Sequence, residues 1–314
     1  MKVVIMESLG VSEQKLQALK APFEAQGVEF VQCEKTVDIG KKKKEIKDAD
    51  AVMLANMPLE AEVIEAAEDL KFIDIAFTGV NHVAVGTAKE RGISVSNAAG
   101  YSTEAVAELG VGMVLSVYRK LRETEERCRM GLDKTGLIGI EIKGKTVGVV
   151  GFGAIGRRSA ELFHAFGANI LANKKHPSDD IPEYVELTDL NGLLERSDIV
   201  LLHCPLNDET KGMIGKEQIA LMKSNSILVN LARGPVVDQE ALIEALREKK
   251  IAGACLDVFE TEPPLINDPI TEAPATLLTP HIGFATREAL EERADIVFDN
   301  LAAWMSGEQK NAVL

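Results

Sequence analysis

Aromatic side chains are scarce in this chain, because Phe, Trp and Tyr together make up only 4% of its 314 residues. Apolar residues of all kinds nevertheless reach 46%, so the cores must be built mainly from Val, Ile, Leu and Ala. Aliphatic runs of this kind are typical of parallel strands that are buried on both faces of a sheet. A chain of this length can form two domains, each with its own core.

Cysteine is also rare. The four cysteines, Cys33, Cys128, Cys204 and Cys255, lie far apart and do not show the spacing of a metal site. This usage indicates small buried thiols in a reducing compartment rather than a disulfide framework. We therefore predict neither a metal site nor disulfide bonds.

Basic residues are fewer than acidic ones: the chain has 35 Lys and Arg and 49 Asp and Glu, which gives a formal net charge of −14. This balance argues against nucleic acid or an anionic membrane as a partner. No apolar run reaches the length of a membrane span, and the opening MKVVIMESLG does not show the pattern of a secretory signal. We expect a soluble, cytoplasmic protein.

A glycine-rich segment, VGVVGFGAIGRR, occupies positions 147–158. Its first four residues predict a buried strand, and Gly151, Gly153 and Gly156 then complete G-x-G-x-x-G ahead of a helical pattern. In this setting the glycines allow a tight turn, close approach of the backbone to a pyrophosphate and close helix–strand packing. The amides at the start of the helix face the phosphates. The segment therefore predicts dinucleotide binding rather than an ordinary turn.

Strand and helix patterns alternate along the whole chain, which predicts an α/β fold with mostly parallel sheets. The first part has strands of its own but no glycine-rich loop, so it forms a separate, smaller domain. A last helix, 287–305, is long enough to cross back onto that domain. We predict two Rossmann-like domains, with a dinucleotide-binding domain of residues 99–285 inserted into a smaller flavodoxin-like substrate domain of residues 1–98 and 286–314. The expected strands are 2–6, 28–32, 51–55, 72–76, 93–96, 145–150, 169–173, 198–203, 226–230 and 253–258.

Two further segments carry expectations about the surface. The four lysines at 41–44 predict a solvated helix face, balanced by Glu45, Asp48 and Asp50. A long helix that begins at Ser102 is apolar around most of its circumference. We therefore expect it to form much of a twofold homodimer interface.

Three polar clusters, at 230–234, 257–263 and 279–283, follow two predicted strands and the short apolar run 277–278, at the kind of position where open α/β sheets hold ligands. They contain Arg233, Glu262 and His281. Reduction of a carbonyl needs a proton donor, for which histidine with a carboxylate partner is suited near neutral pH. An arginine beside this pair would hold a substrate carboxylate in a fork of hydrogen bonds.

Several motifs occur in a fixed order: KERGISVSNAAGYSTEAVAE, the glycine-rich loop, LHCPLNDETKGMI, NLARGPVVDQEALIEAL, GACLDVFETEP and TPHIGFAT. With them the chain resembles the D-2-hydroxyacid dehydrogenase family, which includes D-lactate, glycerate, hydroxypyruvate and phosphoglycerate dehydrogenases. The resemblance extends from about residue 77 to residue 286. It implies an NAD(P)-dependent enzyme that acts on a small 2-oxo or 2-hydroxy acid, such as glyoxylate, hydroxypyruvate or pyruvate.

The resemblance also implies catalytic roles. Arg233 binds the substrate carboxylate and polarises the carbonyl, His281 is the acid/base, and Glu262 is its partner. Glu260 is a rival for that last role, but Glu262 directly precedes Pro263, as in the family. The remaining histidines that we interpret as having no catalytic function are His82, His164 and His176.

Binding roles follow in the same way. Asp257 would hold the nicotinamide carboxamide, and His203 would pack beneath the cofactor. The full expected cofactor-binding set is Gly151, Gly153, Ala154, Ile155, Gly156, Arg157, Asn173, Lys174, Lys175, His203, Cys204, Pro205, Thr210, Leu231, Ala232, Arg233, Asp257, His281 and Gly283. The expected substrate-binding set is Thr78, Gly79, Tyr101, Arg233 and His281.

The choice between NAD(H) and NADP(H) depends on the exit of the second strand of the dinucleotide domain. Enzymes that use NAD usually place an acid on the ribose hydroxyls about 20 residues after the glycine loop. Here the chain has Lys174 and Lys175 instead, and Arg157 lies nearby in the motif. These cations would attract a 2′-phosphate, so we predict that NADP(H) is favoured and NAD(H) remains possible. The alternative is that the lysines are merely solvated.

Two other functions are compatible with parts of the pattern. A formate dehydrogenase has a related fold, but it pairs its histidine with Gln, so Glu262 argues against it. A dehydrogenase-like protein that senses NAD(H) is the second alternative. The substrate side chain is expected near Asn56, Met57 and Leu59 of the first domain.

Overall fold

The computed structural model describes residues 1–175 and 180–314, and His176 lies outside the described part. The chain forms two compact units. The first unit consists of Met1–Ser102 and Phe284–Leu314, and the second unit of Thr103–Gly283. Each unit is built on one parallel sheet with helices, so the predicted α/β fold with two Rossmann-like units is confirmed.

The first unit has a sheet of strand order β2-β1-β3-β4-β5, and the second has the order β12-β11-β10-β9-β6-β7-β8. All pairings within these sheets are parallel. The strands of the first sheet are β1 (Lys2–Ile5), β2 (Glu29–Gln32), β3 (Ala51–Leu54), β4 (Phe72–Ile75) and β5 (Ser94–Asn97). Those of the second are β6 (Thr146–Val150), β7 (Asn169–Asn173), β8 (Val185–Leu187), β9 (Ile199–Leu202), β10 (Ile227–Asn230), β11 (Gly253–Leu256) and β12 (Thr276–Leu278).

The helices follow the strands in the alternation that the sequence predicts. They are α1 (Glu13–Glu24), α2 (Ile39–Ile46), α3 (Ala61–Ala66), α4 (Val85–Glu90), α5 (Thr103–Tyr118), α6 (Leu121–Arg129), α7 (Ala154–Ala165), α8 (Leu190–Arg196), α9 (Lys216–Leu221), α10 (Gln239–Arg247) and α11 (Arg287–Met305). Within the described ranges, none of them combines the length and the apolar character that a membrane crossing requires.

The ten predicted strands are present, with ends that differ by one or two residues. Two strands were not predicted, β8 and β12, and these form the two edges of the second sheet. Each is only three residues long, and β12 is half-buried throughout. Such short edge strands lack the long apolar run by which buried central strands are recognised.

The lysine run on α2 is not entirely a solvated face. Lys42 is 1% exposed, and its ammonium donates to the carbonyl of Pro58 at 2.8 Å and to both carboxylate oxygens of Glu60 at 2.9 and 3.0 Å. The expectation is therefore wrong for Lys42. A buried ammonium is tolerated here because every contact is to an acceptor, one of them charged.

The apolar surface of α5 is covered largely within the second unit. Val106, Met113 and Val114 belong to a core that also contains Val147 and Phe163. The expectation that α5 requires a second subunit to cover its apolar side chains is therefore not supported by their burial. A group of exposed apolar side chains lies further along the chain, on α6 and the segment after it: Leu121, Met130, Leu132, Ile138 and Ile140.

Candidate active site

Three loops meet at the carboxyl edge of the second sheet. They follow β10, β11 and β12, which are neighbours in that sheet and run parallel. Because the carboxyl ends of adjacent parallel strands lie at the same edge, the three polar clusters that the sequence predicts to act together are brought to one place.

His281 and Glu262 form a direct pair in this edge. The Nδ1 atom of His281 lies 2.5 Å from Oε2 of Glu262, and the second oxygen of Glu262 accepts from the backbone N–H of Phe259 at 3.2 Å. Their side chains are 19% and 32% exposed. Glu262, and not its rival Glu260, therefore makes the predicted contact with histidine.

The surroundings of Glu262 keep it ionised. Burial raises the pKa of its carboxyl group, but the hydrogen bond from His281, the charge of His281, the Phe259 N–H and the charge of Arg233 together bring the pKa below its ordinary value. A carboxylate that is charged at neutral pH stabilises a positive charge on the ring that it contacts.

Asp257 fixes the loop that carries His281. It is 2% exposed, and one of its oxygens accepts from the Thr279 hydroxyl at 2.6 Å and from the Ile282 N–H at 2.8 Å. The other oxygen accepts from the Gly283 N–H at 2.8 Å. This structural role was missed from the sequence. The predicted contact of Asp257 with a nicotinamide carboxamide stays a prediction.

The loop that carries Arg233 is held by Asn230, whose side chain is almost fully buried. Its amide donates to the Arg233 carbonyl at 3.0 Å and accepts from the Ala232 N–H at 3.0 Å. The guanidinium of Arg233 donates to the Ala232 carbonyl at 2.7 Å. Asn230 was quoted as part of the motif without a role, and the structure shows that it shapes the turn.

Gly234 brings the arginine loop against the glutamate loop. A Cβ atom at this position would lie 2.0 Å from the Phe259 carbonyl carbon and 2.1 Å from its oxygen. These distances are far below van der Waals contact, so only glycine fits between the two backbones. This close approach explains how the Arg233 charge comes to act on Glu262.

The glycine-rich loop has the geometry that a dinucleotide needs. Gly151 has φ of +93°, and a Cβ there would lie 2.5 Å from the Cys204 nitrogen. A Cβ at Gly156 would lie 2.1 Å from the Gly151 oxygen, whereas a Cβ at Gly153 would meet nothing within 4 Å. Gly151 and Gly156 therefore make the turn and the helix packing, and Gly153 leaves an open face at the start of α7. These residues fit a nicotinamide dinucleotide.

Lys175, after β7, and Arg157, on α7, have acidic partners that were not predicted from the sequence. Lys175 forms an ion pair with Glu209, and Arg157 donates to the Asp180 carbonyl at 2.7 Å and to its carboxylate at 2.9 Å. The Asn173 amide donates to the Thr188 carbonyl at 3.1 Å. Lys175 and Arg157, which are both predicted to face a 2′-phosphate, therefore already contact carboxylates.

Further residues that are predicted to bind the cofactor lie in the loop after β9. His203 contacts the Ser159 hydroxyl through Nε2 at 3.0 Å, and burial lowers the pKa of His203 to about 4, so the ring is neutral. Burial raises the pKa of the Cys204 thiol to about 11. The Thr210 hydroxyl donates to the Pro205 carbonyl at 2.6 Å and closes the turn. Leu231 and Ala232, after β10, are buried.

The remaining predicted substrate residues belong to the first unit. Thr78 and Gly79 follow β4, and neither of their backbone amides donates to an acceptor within the described residues. The Thr78 carbonyl accepts from the Asn97 amide at 2.8 Å. Tyr101 is 3% exposed, with its ring 6.2 Å from that of Phe77. Two adjacent amides that lack protein acceptors are suited to bind an anion.

Potential metal ligands do not cluster in the described part of the chain. Among those residues, no group of three or more His, Cys, Asp or Glu side chains is placed to hold a metal ion. The four cysteines are free thiols, of which Cys204 and Cys255 are buried.

Comparison with known proteins identifies the family. Residues 111–283 match the model of the NAD-binding domain of D-isomer specific 2-hydroxyacid dehydrogenases. A glyoxylate reductase of Thermofilum pendens is 42% identical over 278 residues, which cover 86% of this chain and 82% of that protein. Among solved structures, the TT0316 protein of Thermus thermophilus has a TM-score of 0.90 at 33% identity, with both chains fully covered.

An acyclic imino acid reductase, solved in complex with NADPH and D-Arg, is also similar in structure. Its TM-score is 0.91 at 26% identity, and again both chains are fully covered. The order of the motifs, the geometry of the three loops and these likenesses agree. The chain belongs to the D-isomer specific 2-hydroxyacid dehydrogenase family, and it is a nicotinamide-dependent oxidoreductase of that family.

Proposed function

We propose that this enzyme reduces a small 2-oxo acid, such as glyoxylate, hydroxypyruvate or pyruvate, to the D-2-hydroxy acid, with NADPH as the favoured cofactor. The observation that carries the proposal is the His281–Glu262 pair on a loop beside the Arg233 turn. The likeness to a glyoxylate reductase supports the substrate class.

Each residue of this group has a distinct task in the proposed reaction. The cofactor, when bound, supplies the hydride that reduces the carbonyl carbon. Arg233 binds the substrate carboxylate through its planar fork and polarises the carbonyl. Because Nδ1 of His281 contacts Glu262, Nε2 is the atom that gives a proton to the developing alkoxide. Glu262 orients the ring and stabilises its charged form.

The first unit is proposed to add further substrate contacts. The amides of Thr78 and Gly79 would donate to the substrate carboxylate, and Tyr101 would lie near the substrate. Of the residues predicted to surround the substrate side chain, Met57 is fully buried, as is Leu59. Asn56 is exposed, and its side-chain oxygen accepts from the Lys35 ammonium at 2.6 Å. Because its side chain is the accessible one of the three, Asn56 is proposed to discriminate between substrates.

A turnover assay tests the proposal as a whole. Glyoxylate, hydroxypyruvate, pyruvate and bulkier 2-oxo acids are offered with NADPH and with NADH, and formate is offered with NAD and NADP. We expect reduction of the small 2-oxo acids and no oxidation of formate. Formate oxidation alone would favour the formate dehydrogenase alternative. Cofactor binding without turnover of any acid would favour a sensing protein.

The pH dependence of reduction should change in Glu262→Gln. Reduction requires the protonated acid, so activity falls as the pH rises through the apparent pKa of that group. The Glu262 carboxylate is ionised at neutral pH and favours the protonated form. Its loss should move the falling part of the kcat/KM profile toward acid pH, because one charge-assisted hydrogen bond to the protonated acid is removed. Glu260→Gln is the matched control. An unchanged pH profile of kcat/KM in Glu262→Gln would refute the assignment of Glu262 as the partner of His281.

NADPH should be preferred to NADH, because Lys174 and Lys175 follow β7, where enzymes that use NAD usually carry an acid, and Arg157 lies on α7. The partners Glu209 and Asp180 compete for two of these cations, so we expect a preference of only about tenfold at low salt. Lys174→Asp should shift the preference toward NADH. Equal or better kcat/KM with NADH in the unmutated enzyme would contradict the prediction.

The competition by Glu209 can be measured separately. Glu209→Gln removes the carboxylate from Lys175 and should raise the ratio of NADPH to NADH efficiency by several-fold, about the effect of one exposed ion pair. Glu244→Gln is the matched control, because Glu244 pairs with Lys216 at 2.9 Å and both are exposed. The same change of ratio in both variants would show a general charge effect instead.

We also propose a homodimer that forms through the exposed apolar side chains of α6 and the segment after it. Ile138 is 70% exposed and Met130 65% exposed. A cavity of about 430 Å³ is lined in part by Ile138 and Ile140. Sedimentation at micromolar concentration should show a dimer, and Ile138→Asp should dissociate it. Ile266→Asp, at a residue that is 94% exposed, is the control, and a monomeric unmutated enzyme would exclude the proposal.

A further inference from the structure

A set of asparagines connects the proposed substrate loop to the segment that follows α11. Asn97, the last residue of β5, donates its side-chain amide to the Thr78 carbonyl at 2.8 Å. Its side-chain oxygen accepts from the Ala99 N–H at 3.3 Å, and the Ala98 N–H donates to the Phe77 carbonyl at 3.1 Å. Asn97 is thus the side chain that fixes the Thr78 peptide, directly beside the two amides that have no protein acceptor.

The backbone of Asn97 is itself held by two other asparagines. Asn300 of α11 donates to the Asn97 carbonyl at 3.0 Å, and the Asn97 N–H donates to the Asn311 carbonyl at 3.1 Å. The Asn311 amide then donates to the Asn300 side-chain oxygen at 2.9 Å. Asn300 is 1% exposed. This burial shields the Asn300 amide from competing water, which favours a single arrangement of that side chain.

The base of this network is a buried acid. Asn300 also donates to one oxygen of Asp74 at 3.0 Å, and Asp74 on β4 is fully buried. Burial raises the pKa of the Asp74 carboxyl well above its ordinary value, against the opposing effect of the Asn300 hydrogen bond. Burial therefore disfavours a negative charge at the base of this network.

Residues 309–313, which we call the clamp segment, lie along the edge strand β5. Ser96 and Ala312 form an antiparallel bridge, and the Val313 N–H donates to the Val95 carbonyl at 2.8 Å. The Ser96 hydroxyl donates to the Lys310 carbonyl at 2.7 Å. The clamp segment therefore covers the edge of the first sheet and holds Asn311 next to Asn97.

We propose that Asn97 is a positioning residue for the Thr78–Gly79 loop, and that the clamp segment sets the substrate affinity of the enzyme through Asn311 and Asn300. The proposal rests on the proposed function, in which the amides of that loop bind the substrate carboxylate. Two hydrogen bonds separate the clamp backbone from the Thr78 peptide: Asn311 to Asn97, and Asn97 to Thr78. A change in the clamp segment should therefore move the carboxylate site without touching the acid–base pair.

Two variants test this connection. Asn97→Ala removes the donor to Thr78. Asn311→Gly removes only a side chain, because glycine readily adopts the left-handed backbone found at Asn311, whose φ is +48°. Lys310→Ala is the control, since it keeps the backbone bond to Ser96 and loses only an exposed side chain. We expect Asn97→Ala to raise the KM for the 2-oxo acid by roughly tenfold to a hundredfold, the cost of a misplaced substrate contact. The rise in Asn311→Gly should be smaller, and kcat and cofactor affinity should change less.

Amide hydrogen exchange provides a readout that does not depend on turnover. The Ala98 N–H, which donates to the Phe77 carbonyl at the start of the Thr78–Gly79 loop at 3.1 Å, should exchange faster in Asn97→Ala and Asn311→Gly than in the unmutated protein, and at the normal rate in Lys310→Ala. Lowered thermal stability with unchanged KM and unchanged exchange in this loop would show that the asparagines are merely structural, and would overturn the proposal. If Asn97→Ala does not fold, Asn311→Gly carries the test.

The same experiments separate this proposal from the proposed function. If Arg233→Lys raises the KM but Asn97→Ala and Asn311→Gly leave both KM and exchange unchanged, the positioning role is wrong and the proposed function stands. If no 2-oxo acid is reduced but exchange of the Ala98 N–H rises in both asparagine variants, the proposed function is wrong and the positioning of the loop is supported.

Discussion

His281→Gln should lower the turnover of a 2-oxo acid by about 10²- to 10⁴-fold, the usual contribution of a positioned general acid. The variant loses the proton donor but keeps Arg233, the glycine loop and the Asp257 network. Cofactor affinity, measured by fluorescence titration, should therefore change little. The loss should appear in kcat, because the proton is transferred as the alkoxide develops.

The backbone of His281 requires a second variant, because its φ of +54° lies in the left-handed region. Asparagine tolerates this conformation better than glutamine, so His281→Asn separates loss of the acid from backbone strain. His164→Gln is the matched control, since His164 is exposed and stacks on Tyr184 at 4.0 Å between ring centroids. Near-normal turnover in folded His281→Gln and His281→Asn would end the assignment of His281 as the acid.

Arg233→Lys should reduce kcat/KM for the 2-oxo acid by about a hundredfold, through both a higher KM and a lower kcat. Lysine keeps the positive charge, but it cannot form two parallel hydrogen bonds to a carboxylate. It also cannot hold the carbonyl at a fixed angle, and poor orientation of the reacting group is costly. Steady-state kinetics with glyoxylate and hydroxypyruvate measure both parameters.

Arg247→Lys is the control for this substitution, because Arg247 is an exposed residue in the last turn of α10. The Asn230 and Gly234 contacts that shape the Arg233 turn involve backbone atoms of that turn, so the variant should fold normally. A change in thermal stability with unchanged kinetics would make Arg233 a structural residue and would place the carboxylate site elsewhere.

The features that could be predicted from the sequence are those that a short segment determines. Central strands such as β3 and β9 are continuous apolar runs. The glycine-rich turn needs only its own residues and its neighbours. The His281–Glu262 pair was anticipated because both residues lie in polar segments that follow apolar runs, and because the motifs around them resemble those of a family.

The features that could not be predicted depend on pairing between distant segments. Lys175 and Glu209 are 34 positions apart, and the amide of Asn300 reaches Asp74 across 226 positions. Nothing in the local pattern around a lone polar residue indicates its partner. The burial of Lys42 was missed for the same reason, since its acceptors lie in a later loop. Polar pairing is decided by tertiary packing, whereas apolar periodicity is visible in the chain itself.

The close approach at Gly234 limits how the enzyme can be redesigned. A methyl group there would overlap the Phe259 carbonyl carbon, at 2.0 Å, so the positions of the arginine turn and the glutamate loop depend on each other. Insertions or loop grafts in either segment would misalign the guanidinium and the acid–base pair together. Engineering for bulkier acids should therefore leave both segments unchanged and vary Asn56 instead, where an exposed side chain can be exchanged without repacking a core.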